Sequence, residues 1–127
     1  MNSSFYIINA SAGSGKTFAL TKIILIKILK SKDENYFKRI LALTFTNRAA
    51  AEMKSRVLNN LKDFSGTQIK DRPTEMFEQV KKELVFSSKQ IIILAKERLN
   101  LLLHNYSFFQ IETLDSFNHH IVRSFYK

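Results

Sequence analysis

A run of small residues that ends in a lysine and a threonine is the part of this sequence best suited to chemistry. The run is Ala10, Ser11, Ala12, Gly13, Ser14, Gly15, Lys16 and Thr17. Small side chains let the backbone curl so that successive N–H groups point into one concavity and donate to phosphate oxygens. Lys16 supplies a mobile positive charge for the outer phosphates, and the Thr17 hydroxyl is an oxygen ligand of the kind that Mg²⁺ prefers. These eight residues are predicted to bind a nucleotide, with Lys16 and Thr17 as the catalytic pair and Thr17 as the Mg²⁺ ligand, and the loop alone does not say which phosphate-loop family it belongs to.

The sequence on either side of this run supports the same prediction. A phosphate loop has glycine, four residues, then Gly-Lys-Ser/Thr, and here Ala10 takes the place of the first glycine. An apolar run at 5–8 predicts a strand before the loop, and a helix is predicted from Thr17 to about Lys30. The amino end of that helix, near Lys16, adds the positive end of its dipole. A chance glycine-serine turn is the simpler alternative. Eight consecutive residues of suitable type, between a predicted strand and a predicted helix, argue against it.

The elements that must position these residues alternate along the chain. Apolar runs predict strands at 5–8, 39–45 and 107–112, and apolar periodicity predicts helices at 17–30, 49–61, 74–86, 88–104 and 115–125. Strands that alternate with helices favour an α/β fold with a mainly parallel sheet. Between residues 63 and 104 the alternation is interrupted, which predicts an all-helical insertion.

Two further motifs follow the second and third predicted strands. The first reads Thr44-Phe45-Thr46-Asn47-Arg48-Ala49-Ala50-Ala51-Glu52-Met53, and the second reads Ile111-Glu112-Thr113-Leu114-Asp115-Ser116-Phe117. Together with the phosphate loop, they make the chain resemble superfamily-one DNA helicases of the UvrD/Rep/RecB type. That family has Thr-Phe-Thr-Asn-Lys-Ala-Ala-x-Glu-Met and Thr-x-His-Ser-Phe at these places, so Arg48 replaces a lysine and Asp115 a histidine. The run at 111–125 favours the RecB-like branch.

The resemblance implies a surface for single-stranded DNA. Thr46, Asn47, Arg48, Thr113 and Ser116 match the positions that contact the strand in the family. Hydroxyl, amide and guanidinium groups can hold phosphates or sugars without reading bases. A second interpretation makes Asn47 the cap of the alanine-rich helix, and capping and DNA contact are compatible.

Aromatic residues and histidines near these motifs have simpler interpretations. Phe45 or Phe117 could stack on a base, but aromatic residues beside apolar strands more often pack inward. His119 and His120 have no cysteine or carboxylate at ligand spacing and are predicted to be surface or packing residues. The basic residues of the insertion are expected to form a solvated helix face, with a DNA path as the alternative; they are Lys81, Lys82, Lys89, Lys96 and Arg98.

The resemblance also implies a division of the chain. Residues 1–62 would form the first part of an incomplete RecA-like P-loop NTPase core, 63–104 a helical insertion, and 105–127 the continuation of the core. The family's acidic Asp-Glu pair is not found, so we expect the chain alone to lack ATPase and unwinding activity. In the resembled fold the strand carrying that pair lies between the first two strands here. A gapped sheet, self-association and contacts with the remaining motor domains of the parent are therefore expected.

The amino-acid composition agrees with a nucleic-acid partner and excludes disulfide-stabilised proteins and thiolate metal sites. The chain has 127 residues, a net charge of +9 and no cysteine, so disulfide frameworks and thiolate metal sites are excluded. No signal-like or membrane-spanning run is found, which predicts a cytoplasmic protein without membrane contact. A non-catalytic nucleic-acid-binding module and a P-loop small-molecule kinase are the alternatives to the helicase interpretation.

Overall fold

A computed structural model describes residues 4–7, 14–44, 46–66 and 74–113. The strands are β1 (Ser4–Ile7), β2 (Ile40–Thr44) and β3 (Gln110–Thr113), and the helices are α1 (Ser14–Lys30), α2 (Asn47–Ser65), α3 (Glu75–Leu84) and α4 (Ser88–His104). Short 3-10 helices at Tyr36–Arg39 and Tyr106–Phe108 lead into β2 and β3. The final helix predicted at 115–125 lies outside the described residues. None of the described helices is long and apolar enough to cross a membrane.

The three strands form one small sheet in the order β1-β2-β3. β1 pairs with β2 in parallel, with Ser4 opposite Ile40 and Ile7 opposite Leu43. β2 pairs with β3 in parallel, with Thr44 opposite Thr113. The predicted gap between the first two strands is therefore wrong, because β1 and β2 are direct neighbours. Self-association, which we expected from that gap, stays a prediction.

The prediction of an incomplete RecA-like fold built mainly on a parallel sheet is also wrong for the described residues. Helix makes up most of them: the four α-helices have 10 to 19 residues, whereas each strand has only four or five. The helices bury their apolar faces largely against one another, since α2 packs chiefly on α4 and α1 contacts α2, α3 and α4. Strands this short offer too little apolar area to organise such a core, so helix–helix packing dominates.

The apolar face of α2 shows how this helical core is built. Its buried residues recur at spacings of three and four, and they are Ala50, Met53, Val57, Leu61 and Phe64. This periodicity places them on one side of the helix. At the far end, Phe64 meets Phe77 of α3 edge to face, with ring centroids 5.3 Å apart. Helix α2 is longer at both ends than the 49–61 segment that the sequence predicts, because Thr46 caps it at Asn47 and Phe64 extends the buried stripe at the other end.

Side-chain caps set the starts of three helices. The Thr46 hydroxyl accepts a hydrogen bond from the Ala49 N–H at 3.0 Å, so Thr46 caps α2 and the interpretation of Asn47 as the cap is wrong. Thr74 caps α3 in the same way. Ser87 and Gln90 form a reciprocal capping box at α4. The predicted bounds of α4, 88–104, are confirmed.

Arg98 departs from the solvated basic face that the sequence predicts. Its side chain is only 4% exposed. Its Nε donates to the Ile28 carbonyl at 3.1 Å, and its Nη2 donates to the Ser31 carbonyl at 2.9 Å. It also pairs with Glu97. Arg98 therefore satisfies carbonyl groups at the end of α1, whereas Lys82, Lys89 and Lys96 are exposed as expected.

Val85, at the corner between α3 and α4, holds a left-handed backbone conformation. Its φ and ψ are 56° and 38°, and its side chain is 86% exposed. A β-branched residue is strained there, by about 1–2 kcal/mol relative to a right-handed conformation. Val85→Gly is expected to raise the free energy of unfolding by about 0.5–1 kcal/mol, measured by urea denaturation, because relief of strain exceeds the entropy of a freer unfolded chain. Val85→Ala keeps the Cβ and is expected to gain less. A loss of stability with glycine would contradict the assigned strain.

Candidate functional site

The three strands have their carboxyl ends at one edge of the sheet. Because the strands are parallel, their carboxyl ends lie together: Ile7 is opposite Leu43, Leu43 is opposite Glu112, and Thr44 is opposite Thr113. The small-residue run follows β1, the Thr46 segment follows β2, and the Ser116 segment follows β3. The carboxyl ends of the strands, near Ile7, Thr44 and Thr113, thus lie at one edge although they are up to about a hundred positions apart in the chain.

The first motif ends in the opening turn of α1. The helix begins at Ser14, somewhat earlier than the sequence predicts, so Ser14, Gly15, Lys16 and Thr17 are all helical. Ala10, Ser11, Ala12 and Gly13 lie outside the described residues. The first N–H groups of a helix have no acceptor within it and carry partial positive charge. This first turn contains no acidic residue, so nothing in it opposes an anion.

The second motif opens α2. Thr46 has the extended backbone of a cap residue, and Asn47 and Arg48 are the first two helical residues. All three are exposed. The Thr46 hydroxyl oxygen accepts the Ala49 N–H, so the cap also fixes the direction in which the next residues leave the strand. This placement presents an amide and a guanidinium group at the surface, beside the amino end of a helix.

Arg48 carries the exposed positive charge of this segment. Its side chain is 89% exposed, and its Nε lies 3.3 Å from Oε1 of Glu52, one turn along the helix. An exposed pair of this spacing contributes only about 0.3–0.5 kcal/mol. The guanidinium can therefore exchange the Glu52 carboxylate for another anion, such as a phosphate, at little cost.

The third motif is described only at its start. Thr113 is the last residue of β3 and lies in register with Thr44. Ser116 lies outside the described residues, as do Phe45, Phe117, His119 and His120. Within the described ranges, no group of three or more histidine, aspartate or glutamate residues could hold a metal ion. The Mg²⁺ ligand predicted at Thr17 stays a prediction.

Thr21 is a polar residue that the sequence reasoning missed. It is 2% exposed, one helical turn beyond Thr17. Its hydroxyl lies 2.7 Å from the Thr17 carbonyl oxygen and 3.4 Å from the sulfur of Met53 in α2. The signal was its spacing, since Thr21, Ile24, Leu25 and Ile28 recur on one helix face. A hydroxyl on an apolar face needs a partner inside the protein.

The chain resembles known proteins over nearly its whole length. Residues 2–127 match the model of the UvrD/REP helicase N-terminal domain. An ATP-dependent helicase/nuclease subunit of Exiguobacterium sibiricum is 32% identical over 100 residues, which are 79% of this chain and 8% of that protein. The corresponding helicase/nuclease subunit of Lacticaseibacillus casei is 32% identical over 120 residues, 94% of this chain and 8% of the relative.

A RecB protein is similar to the same degree. The RecB subunit of the RecBCD enzyme of Borreliella burgdorferi is 32% identical over 107 residues, which are 84% of this chain and 9% of that protein. The chain thus spans less than a tenth of the length of these curated relatives. No solved structure matches the chain significantly.

Proposed function

Because the chain belongs to the UvrD/REP helicase N-terminal domain family, we propose that it is the ATP-binding and DNA-binding part of an ATP-dependent DNA helicase. ATP with Mg²⁺ binds at residues 10–17, and single-stranded DNA binds at Thr46, Asn47 and Arg48, with Thr113 and Ser116 beside them. Relatives named for an ATP-dependent helicase/nuclease and for RecB support a role in a recombination-repair nuclease. The small-molecule kinase alternative does not fit this family.

The nucleotide half of the proposal is supported by the start of α1. A helix amino end without acidic residues follows a run of small residues, and Lys16 and Thr17 stand in its first turn. Main-chain N–H groups at a helix start, the helix dipole and one lysine together favour a polyphosphate. A hydroxyl at Thr17 suits Mg²⁺ shared with the phosphates.

The single observation that carries the whole proposal is the parallel register of the three strands. It supports a shared edge at which the nucleotide segment and the DNA segment are neighbours. Neighbouring sites can influence each other through a few side chains. A helicase requires such an influence between its nucleotide site and its DNA site. Thr46, Asn47 and Arg48 contribute groups that bind a strand without reading its sequence.

Two titrations of the purified chain test the proposal. Calorimetry with a non-hydrolysable Mg·ATP analogue is expected to show binding, and fluorescence anisotropy with a labelled oligo-dT is expected to show salt-dependent binding. Absence of nucleotide heat with oligo-dT binding retained would favour a non-catalytic nucleic-acid-binding module, which the net charge of +9 also suits. Absence of both would overturn the proposal.

Arg48→Ala is expected to weaken oligo-dT binding about fivefold, because one phosphate contact with a cation is lost. The slope of log affinity against log salt should fall by about 0.7. The matched control is Arg56→Ala, which removes the same charge from an exposed position two turns further along α2. Equal losses from both variants would show a diffuse charge effect and contradict the assignment of Arg48.

A further inference from the structure

The Thr21 hydroxyl connects the helix that begins with Lys16 and Thr17 to the helix that begins at Asn47. Thr21 is buried in α1, and its hydroxyl lies within hydrogen-bond distance of two acceptors. One is the main-chain carbonyl of Thr17, at 2.7 Å in the first turn of its own helix. The other is the sulfur of Met53, at 3.4 Å in α2. Met53 is itself 1% exposed, so the contact lies within the core.

A hydroxyl has one hydrogen to donate, so Thr21 can bond to only one of these acceptors at a time. Both distances are normal for their acceptors, and the Thr17 carbonyl is favoured in the present structure because oxygen accepts more strongly than sulfur. Because the sulfur is the weaker acceptor, the hydroxyl turns to Met53 only when the Thr17 carbonyl moves away from it, and rotation about the C–O bond allows that change. Hydroxyl bonds to the carbonyl four residues earlier also bend helices slightly. The Thr21 hydroxyl therefore has two alternative hydrogen bonds. Which one forms depends on the position of the Thr17 carbonyl in α1 and of the Met53 sulfur in α2.

We propose that Thr21 is a positioning residue that couples nucleotide binding at the start of α1 to single-strand binding at the start of α2. This inference rests on the proposed function. Anion binding at the first turn displaces the Thr17 carbonyl, which changes the bond that Thr21 makes to it. The hydroxyl then bonds to Met53 instead, and α2 shifts with the sulfur. Both ligands bias the same two-state element, which is the physical requirement for coupling.

The direct test is a binding cycle on the whole chain. The oligo-dT affinity is measured with and without a saturating Mg·ATP analogue, and the analogue affinity with and without oligo-dT. In the wild-type chain each ligand is expected to change the affinity of the other about fivefold, the effect of one hydrogen bond. The two measured factors must agree, because coupling is reciprocal. Thr21→Val keeps the side-chain shape without the hydroxyl and is expected to reduce the factor to below about twofold, with each separate affinity nearly unchanged.

Three further variants separate coupling from stability. Thr21→Ser keeps the hydroxyl and is expected to retain the coupling. Met53→Leu keeps the bond between Thr21 and Thr17 but removes the sulfur, and it is expected to lose the coupling. Met76→Leu makes the same change at a methionine of α3 that is 5% exposed, and it should leave the coupling intact. A role in packing alone would give Met53→Leu and Met76→Leu the same result.

The outcomes distinguish the inference from the function on which it rests. A wild-type chain that binds both ligands without influence of one on the other overturns the role of Thr21 and leaves the proposed function standing. Retained coupling in Thr21→Val overturns it as well. A chain that binds neither ligand overturns the proposed function itself. If Thr21→Val fails to fold, Met53→Leu decides the question against Met76→Leu.

Discussion

Arg98→Met is expected to lower the free energy of unfolding by about 3 kcal/mol, because it leaves a buried carbonyl at Ile28 and a partly buried one at Ser31 without their charged donor. The guanidinium of Arg98 donates to Ile28 at 3.1 Å and to Ser31 at 2.9 Å. The Ile28 carbonyl lies in the last turn of α1 and the Ser31 carbonyl just past its end, where main-chain acceptors have no partner within the helix. The arginine thus links α4 to the end of the helix that begins with Lys16 and Thr17. Methionine fills the space but supplies no donor.

Urea denaturation followed by circular dichroism measures this loss. Lys96→Met, at an exposed position of α4, is the matched control and should change stability by less than about 0.5 kcal/mol. Arg98→Lys should fall between the two, since an ammonium group cannot reproduce the forked geometry that reaches two carbonyls. A loss below about 1 kcal/mol in Arg98→Met would mean that water satisfies these carbonyls and that the arginine is dispensable.

Lys16→Ala is expected to reduce affinity for the Mg·ATP analogue about tenfold to a hundredfold. The proposed contact is a charge-assisted hydrogen bond to the outer phosphates, and such bonds contribute about 1.5–3 kcal/mol. The N–H groups at the start of α1 remain, so weak binding should persist. Oligo-dT affinity should change little, because the proposed strand contacts lie at the start of α2.

Calorimetry on a matched variant tests whether a loss of analogue affinity is specific to Lys16. Lys27→Ala removes one charge from an exposed position in the last turn of the same helix, and it should bind the analogue like the wild-type chain. An ADP analogue should show a smaller loss than the ATP analogue in Lys16→Ala if the lysine contacts the terminal phosphate. Equal binding by Lys16→Ala and the wild type would remove the basis for a nucleotide site at residues 10–17.

Several elements could be predicted because their signals lie within a few residues. The bounds of α4 agree with the sequence, since Ser87 and Gln90 form the capping box at its start and its apolar residues recur regularly. The strand predicted at 107–112 proved to be Gln110–Thr113, because residues 106–108 form a 3-10 helix instead. Strand bounds are weaker signals, since pairing with a neighbour rather than local periodicity decides where a short strand begins.

Contacts distant in sequence explain what could not be predicted. The sequence assigns Arg98 to a basic surface because Lys89 and Lys96 precede it on the same predicted helix, yet its carbonyl partners are 67 and 70 positions away. The pairing of β1 with β2 depends on how the connecting helix packs, and the resemblance pointed to a strand between them. The hydroxyl of Thr21 meets Met53 across 32 positions. Local spacing indicates that Thr21 is buried, but no local pattern identifies the distant partners in these contacts.

The sequence by itself determined the approximate positions of the described helices and the residue types gathered in the small-residue run and the Thr46 segment. Those features depend on hydrogen bonds and periodicities that span about four residues, so they can be recognised in the sequence alone. Only the tertiary structure decided that helices rather than a sheet would dominate the described core, that Arg98 would be buried, and that the carboxyl ends of the three strands would share one edge. These outcomes depend on which apolar faces find each other, and that choice is made by packing the whole chain at once.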